Sequence, residues 1–330
     1  MSIPLEARVD EISDAYVLPT ELRVDSNSIV GAVYNHRGGL VLPSVRPAYF
    51  GTWRAADPIS YDRQWLEKNA KFIPGKFVYG GHFFNQWGHF IFETLSTAWC
   101  ADRYGGLTLL LGAFVLDSTR RNIWNALEGR KELLRAAGWE GPIELVIEPL
   151  RVQKLFVPHR SSVVGSRYDA LGSLDELGVV YDRVVDRLAG DVAQTERIVA
   201  RRPKGHKRAH PEEEAIYASL ASEGWSVIEG WHLSPAEQVR TFASARVVLA
   251  FNGSSLHNSA FCPRGTTVIE LSDERTLSLG PDEQGRTRAN RTQTEICRVK
   301  EQPLHVIDTI SNGQPNDAES ILRAVRAVAD

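Results

Sequence analysis

The chain has 330 residues, 43% hydrophobic and 24% charged, and 41 acids against 38 Lys plus Arg leave a net charge of −3. That balance supplies no global basic field and argues against a nucleic-acid partner, while the length suffices for two moderate domains. No apolar run approaches the roughly 20 residues that span a bilayer: the stretches around 90–99 and 107–116 are too short or broken by Gly.

Residues 1–60 read as short strands and turns, Ser28–Tyr34 and then Gly39–Leu42 across an Asn35–Gly39 turn. Phe77–Tyr79 is a short strand running into Gly80-Gly81, and the pattern predicts a helix from Trp87 to about Ala101. Leu107–Leu111 reads as a buried strand and Thr119–Ala137 as a helix with Gly138 as its C-cap. Ile143–Ile147 and Lys154–Val157 follow as strands. The polar, Gly-containing stretch 161–172 reads as an inter-domain crossing, and Leu174–Leu188 as a helix.

The second half is more regular. Ile198–Ala200 and Trp225–Ile228 read as strands, and Glu212–Ser222 as a helix. Ser234-Pro235-Ala236-Glu237 opens another helix with Ser at the N-cap, Pro at N1 and Glu at N3. The stretch 246–271 reads strand, small-residue turn (Asn252-Gly253-Ser254-Ser255), short helix (Leu256–Phe261), turn, strand. A last helix covers Asp317–Val328. Strands alternating with short helices on short connections predict a parallel α/β sheet, with ligands beyond the strand C-terminal ends. The expected domains are 1–165 and 166–310, with a helical segment 311–330 packing back toward the first.

Three groups of residues carry candidate chemistry. In GGHFFNQWGHFIFETLSTAW, residues 80–99, a helix would put Asn85, His89 and Glu93 on one polar stripe, joined by Ser96, of an otherwise apolar helix. The plain structural reading has Asn85 capping the helix while His89 and Glu93 satisfy one another. The functional reading has His89 accept a proton while Glu93 orients it. After the strand at 198 comes a basic loop, Arg201-Arg202-Pro203-Lys204-Gly205-His206-Lys207-Arg208, able to clamp an anion or merely to face solvent. The turn Asn252–Ser255 aims backbone N–H groups and a helix start at one point, a seat for a phosphate or an ordinary βαβ corner. Glu270, on the strand tip TVIEL, is placed to take a ribose diol. Against these stand absences: the sequence has no Asp-x-Asp, no GxGxxG after a strand, no GxxxxGK[ST] and no G-x-S-x-G.

Together these pieces resemble glycosyltransferase family 61, which includes capsule-type bacterial transferases, plant xylan-decorating transferases and animal protein O-GlcNAc transferases. The resemblance is carried by Asn85-Gln86-Trp87-Gly88-His89-Phe90 with Glu93, by Arg201-Arg202 and then Arg208 with Glu212, and by SPAEQVRTFASARVVLAFNGSSLHNSAFCPRGTTVIEL, residues 234–271. It covers roughly residues 75–275. The family's His in its His-Gly-Ala motif is Asn252 here, its Gly-Ala is Gly253-Ser254, and the Asn of its Asn-Glu pair is Pro211. Asn252 retains hydrogen bonding but not proton transfer near neutrality.

The resemblance implies a GT-B-like α/β architecture, two Rossmann-like domains facing a central cleft. It implies an inverting, metal-independent transfer of a hexosyl or pentosyl group from a nucleotide sugar to a hydroxyl acceptor, in polysaccharide or glycoconjugate synthesis. The catalytic residues would be His89 and Glu93. The substrate-binding residues would be Asn85, Arg202, Arg208, Asn252, Gly253, Ser254, Ser255, Asn258 and Glu270, with no metal ligand and no cofactor beyond the nucleotide-sugar substrate. The partner would be a glycan, a lipid-linked glycan or another hydroxyl acceptor. The alternatives are a catalytically altered nucleotide-sugar-binding protein, a nucleotide-sugar epimerase on the same fold, and a structural partner in polysaccharide assembly. Acids scattered through residues 1–16 give no secretory or transit signature, and Cys100, Cys262 and Cys297 have no metal-ligand spacing. The expectation is a cytoplasmic protein with buried thiols, compatible with peripheral membrane association.

Overall fold

The computed structural model describes residues 7–23, 28–45, 54–55, 62–115, 120–163, 172–206, 209–272, 289–311 and 313–329. The chain divides into two compact units, Met1–Arg183 and Val184–Asp330. The division falls inside the helix Glu176–Leu188, later than the expected boundary at 165. The described ends of the stretch expected to cross between domains are two short strands, Ser162–Val163 and Gly172–Ser173, paired as an antiparallel ladder in the first unit.

The first unit contains strands β1 (Val9–Val17), β2 (Thr20–Arg23), β3 (Ser28–Val30), β4 (Val33–Tyr34), β5 (Arg54–Ala55), β6 (Lys71–Phe83), β7 (Thr108–Val115), β8 (Ile143–Val146), β9 (Leu150–Pro158), β10 (Ser162–Val163) and β11 (Gly172–Ser173). The main sheet runs β4-β1-β9-β6-β7-β2-β3-β5, with β8 also beside β7. At its centre β9, β6, β7 and β8 are parallel, while β1 lies antiparallel against β9. Side-chain alternation along β1 splits the core. Ala15 and Val17 join Tyr79, Val152 and Leu155 on one face; Tyr16 and Leu18 pack with Tyr34 and with Leu66 of the helix Arg63–Asn69 on the other.

β6 is far longer than the three residues expected from sequence. The sheet absorbs Pro74-Gly75 and Gly80-Gly81 as register irregularities, at 73–76 against β9 and at 79–82 against β7. The helix Arg120–Ala136 ends as predicted, with Gly138 at φ +111°, a conformation that favours glycine.

The second unit holds a five-stranded, fully parallel sheet of β12 (Glu196–Ala200), β13 (Ser226–Ile228), β14 (Ala245–Phe251), β15 (Thr267–Leu271) and β16 (Leu304–Ile307). Its order is β13-β12-β14-β15-β16. The intervening helices are Glu213–Ser222, Pro235–Ala243 and Arg291–Val299, with a 3₁₀ segment at Leu256–Phe261. The alternation of strand and helix is the Rossmann-like α/β pattern expected from sequence. Burial of Val199, Ile216, Leu249, Phe251, Ile269 and Ile307 makes its core. The C-terminal helix Ala318–Ala329 puts Ile321, Leu322 and Val325 into that same core. Its apolar stripe is thus taken up by its own unit.

The three cysteines are buried, unbridged thiols. Among the described residues no helix is long and apolar enough to cross a membrane.

Candidate active site

In the first unit the candidate site grows from the C-terminal end of β6. The register shift at Gly80-Gly81 re-aims His82, whose Nδ1 lies 2.6 Å from Thr20 Oγ1. The chain then enters the segment 87–104, which is not a uniform helix: α geometry at Trp87–His89, a π turn at Phe90–Thr94, 3₁₀ geometry at Leu95–Cys100 and α again at Ala101–Tyr104.

Competition for its carbonyls accounts for the irregularity. Tyr181 Oη donates to Ile91 O, Ser162 Oγ to Phe92 O, Ser96 Oγ to Glu93 O, Ser161 N and Oγ to Ser96 O, and Arg183 Nη1 to Ala98 O. Side chains inserted into an i→i−4 ladder loosen or tighten it locally, and π turns of this kind are frequent at functional sites. The segment is also tied to the strand end, because Thr94 Oγ1 donates to His82 O and Thr97 Oγ1 to Gly80 O.

On this frame His89 Nδ1 sits 2.5 Å from Glu93 Oε1. The Glu93 side chain is 2% exposed and the His89 side chain 20%. If Glu93 is ionised it only accepts, and in a neutral His89 the hydrogen then sits on Nδ1 and the lone pair on Nε2. The ring of Phe84 lies 5.4 Å from that of His89 and helps fix its plane. Asn85 departs from the expected stripe. The helix begins at Trp87 with Gln86 as N-cap and no side-chain cap, so Asn85 is an exposed residue of the preceding loop.

In the second unit the strand order reverses direction about β12. The chain steps from β12 out to β13, then crosses back to β14 on the other side. Ligands of open parallel sheets bind beyond the strand C-termini at such a point. Arg202 follows β12 and Asn252 follows β14, and the Arg202 guanidinium lies 4.7 Å above the ring of Phe251, the last residue of β14.

Arg202 is nearly fully buried and engages Glu213 through Nε at 3.3 Å and Nη2 at 3.0 Å. Glu213 also accepts from Tyr217 Oη at 2.5 Å and from the backbone N–H of His210 at 3.1 Å. Burial and the Glu213 charge push the Tyr217 phenol well up, so it stays a donor. His210 Nδ1 accepts from Glu212 N–H while Nε2 donates to Thr309 O. Arg201 is held by Glu214 at 2.7 Å and Glu229 at 3.3 Å. Arg201 and Arg202 are thus held in place, with their charge offset on the spot by carboxylates. Arg208 lies outside the described residues.

The turn after β14 is the better-defined candidate for the anion seat expected from sequence. Gly253 has φ +149°, where a side chain is strained. Asn252 N–H donates to Leu271 O and Leu256 N–H to Gly253 O. The N–H groups of Gly253, Ser254 and Ser255 have no acceptor among the described residues. Successive backbone N–H groups left in this way form an anion-binding concavity. Asn258 Nδ2 donates to Ser255 O and so braces the turn.

Glu270 is fully buried, accepting from Asn290 N–H with both oxygens (3.0 and 3.1 Å) and from Asn252 Nδ2 at 3.2 Å. Asn290 Nδ2 returns a bond to Asn252 Oδ1 at 3.4 Å. The carboxylate therefore holds the start of the helix Arg291–Val299 against the Asn252 turn.

Glu213, Tyr217, His210 and Asn290 complete these clusters, and nothing in the sequence singled them out. The contacts Arg202–Glu213, Asn290–Glu270 and His210–Thr309 span 11, 20 and 99 residues, beyond any local spacing rule, whereas Tyr217 and His210 reach Glu213 from four and three residues away. Glu212, which the motif resemblance picked, lies beside the ion pair and contributes its backbone N–H instead.

A family model for Glycosyltransferase 61 matches residues 87–269, more than half of the chain, and spans both His89–Glu93 and the 252–258 turn. No curated protein matches the chain. The segment that carries the imidazole–carboxylate pair and the amide turn after β14 lie within one family match: the chain belongs to the glycosyltransferase 61 family, a family of glycosyltransferases.

Proposed function

We propose that this protein transfers a sugar from a nucleotide-sugar donor to a hydroxyl acceptor with inversion at the anomeric carbon and without a metal ion. The observation that carries this reading is the His89–Glu93 pair: a buried carboxylate fixes the tautomer of a partly exposed imidazole, the arrangement a general base needs. His89 Nε2 would take the acceptor hydroxyl's proton as that oxygen attacks the anomeric carbon. The glycosidic bond to the diphosphate breaks on the opposite face. Glu93 then stabilises the resulting imidazolium.

In the second unit the leaving diphosphate would be met by the N–H groups of Gly253–Ser255, with Arg202 beside them at the switch point. Because Glu213 offsets the Arg202 charge, the amide dipoles take a larger share than the sequence alone suggested. Glu270 and Asn290 would set the shape of the nucleoside side of the site through Asn252. A GT-B-like arrangement, with the two Rossmann-like domains facing a central cleft, belongs to this proposal as the family implies it.

A second reading has one observation in its favour. Asn252 replaces the family's His, and its amide is engaged by Glu270 and Asn290, as in a protein that binds a nucleotide sugar without transferring it.

One measurement tests both readings and a second separates them. A thermal-shift response to UDP or GDP that persists with a chelator is expected under both, since a ligand at 100 times its Kd stabilises by about 2.7 kcal/mol. Loss of turnover by about 10²–10⁴-fold in His89→Ala, with the nucleotide response intact, is expected for the transferase. Near-normal turnover in that variant would overturn the catalytic assignment. No response to any nucleoside diphosphate would overturn both.

A further inference from the structure

Trp231 is 43% exposed and belongs to none of the clusters described above. Exposure alone would not single it out, since Trp65 and Trp124 are about as open. Those two lie on the helices Arg63–Asn69 and Arg120–Ala136 of the first unit. Trp231 instead follows β13, at the C-terminal end of the second unit's parallel sheet, where ligands of such sheets bind. Only β12 separates β13 from β14, the strand that leads into the amide turn.

The turn that carries the indole is fixed on both sides. Gly230–His232 forms one 3₁₀ turn, closed by His232 N–H on Glu229 O and Leu233 N–H on Gly230 O. Toward β12, Arg201 N–H donates to Ile228 O, and the Glu229 carboxylate lies 3.3 Å from Arg201 Nη1 and 3.2 Å from His232 Nε2. Toward β14, a Cβ at Gly230 would meet Asn258 Nδ2 at 3.9 Å. Asn258 is the side chain that braces the Gly253–Ser255 turn, so the backbone beside Trp231 abuts the brace of the candidate diphosphate seat. Two strand spacings of about 4.8 Å put β13 about 10 Å from β14, a gap of the order that the ribose between a base and its diphosphate spans.

These features select a chemical group. The indole N–H has no acceptor among the described residues, and the His232 ring flanks the indole at 5.5 Å, tilted by 52°. The cation of this network, Arg201, is answered by both Glu214 and Glu229, so it has no spare charge with which to hold a phosphate. A flat, uncharged heterocycle suits such a surface: a base stacks through its π-face while its polar edges stay in water. We propose that the nucleobase of the donor stacks on Trp231 while its diphosphate lies on the Gly253–Ser255 amides. This rests on the nucleotide site that both readings above share, and adds the part of it that holds the base.

The test is calorimetric titration of UDP, GDP, CDP and ADP into the full chain and into three variants at this position. None of these probes carries a donor sugar, so a sugar ring stacked on the indole would not register. In Trp231→Ala the tightest-binding probe should lose about 5- to 150-fold in affinity. Trp231→Phe keeps a flat ring and should stay within about threefold of wild type. Trp231→Leu is apolar without being flat and should behave like the Ala variant. The side chain is exposed, and unchanged thermal unfolding of the ligand-free variants would show that they fold. Equal affinity in wild type and Trp231→Ala overturns the proposal. So does a Leu variant that matches the Phe one, because the residue would then serve only as apolar cover. Both of those outcomes leave nucleotide binding standing and reject this inference alone. Failure of wild type to bind any of the four probes overturns the nucleotide-sugar reading itself, and this inference with it.

Discussion

In the proposed reaction two positions would bear most of the chemistry, and they would act through different atoms. At His89 it would be the side chain, whose Nδ1 is held by one buried oxygen of Glu93. At Gly253 the backbone matters. A φ of +149° is open to glycine and strained for other residues by about 1–3 kcal/mol. Gly253→Ala is therefore expected to disturb the amide turn and weaken the UDP or GDP thermal shift, whereas Ser254→Ala keeps its N–H and should retain it. Equal responses in the two variants would mean that the amides do not hold the diphosphate. The His89–Glu93 pair was legible because residues four apart in sequence stay neighbours through a helical turn. Arg202–Glu213 was not, because the two residues lie on different elements and only the packing of a helix on a strand end brings them together.

Among the elements, the best-specified is the helix Pro235–Ala243. Its sequence carries a complete start signal, and both reciprocal capping bonds form: Ser234 Oγ accepts from Glu237 N–H at 3.2 Å, and Glu237 accepts from Ser234 N–H at 2.7 Å. Ser234→Ala is expected to cost about 1 kcal/mol of stability in a denaturant titration while leaving nucleotide binding unchanged. The segment 87–104 is the opposite example. Its composition reads as one buried helix, yet hydrogen bonds from Ser161, Ser162, Tyr181 and Arg183 break it into π and 3₁₀ turns. None of those donors lies within the segment, so no periodicity inside it could have announced the irregularity. β6 fails in the other direction: local glycine rules stop the strand early, and pairing on both sides carries it through.

For the molecule as a whole, the C-terminal helix is the element whose place matters most. Ile321 is buried in the core of the second unit, and Ile321→Ala should destabilise that unit by about 2–5 kcal/mol. Calorimetry should show the nucleotide-dependent unfolding transition moving down. The same helix is latched by Arg326, which donates to Glu223 through Nη2 at 2.7 Å and Nε at 3.3 Å. Hydrogen bonding from Arg326 holds the Glu223 carboxyl below its ordinary value of 4.5. A depressed carboxylate stabilises the fold above its unfolded pKa and loses that contribution as pH falls through the folded value. Glu223→Gln should therefore unfold more readily than wild type at pH 7, with the difference closing as the pH drops below 4.5. A gap that stays constant with pH would show that the latch contributes through packing alone.

By itself the sequence determined whatever depends on short range: the alternation of strand and helix in the second half, the capped helix at 235, the Gly253 turn and the imidazole–carboxylate pair. It also held enough ordered motif to point to the family. The tertiary structure alone decided which charges are already answered by carboxylates, where β6 ends, where the chain divides into units and which core receives the last helix. Local propensity is settled within a few residues of chain. Burial and charge compensation are settled by groups that meet only when the sheets have formed.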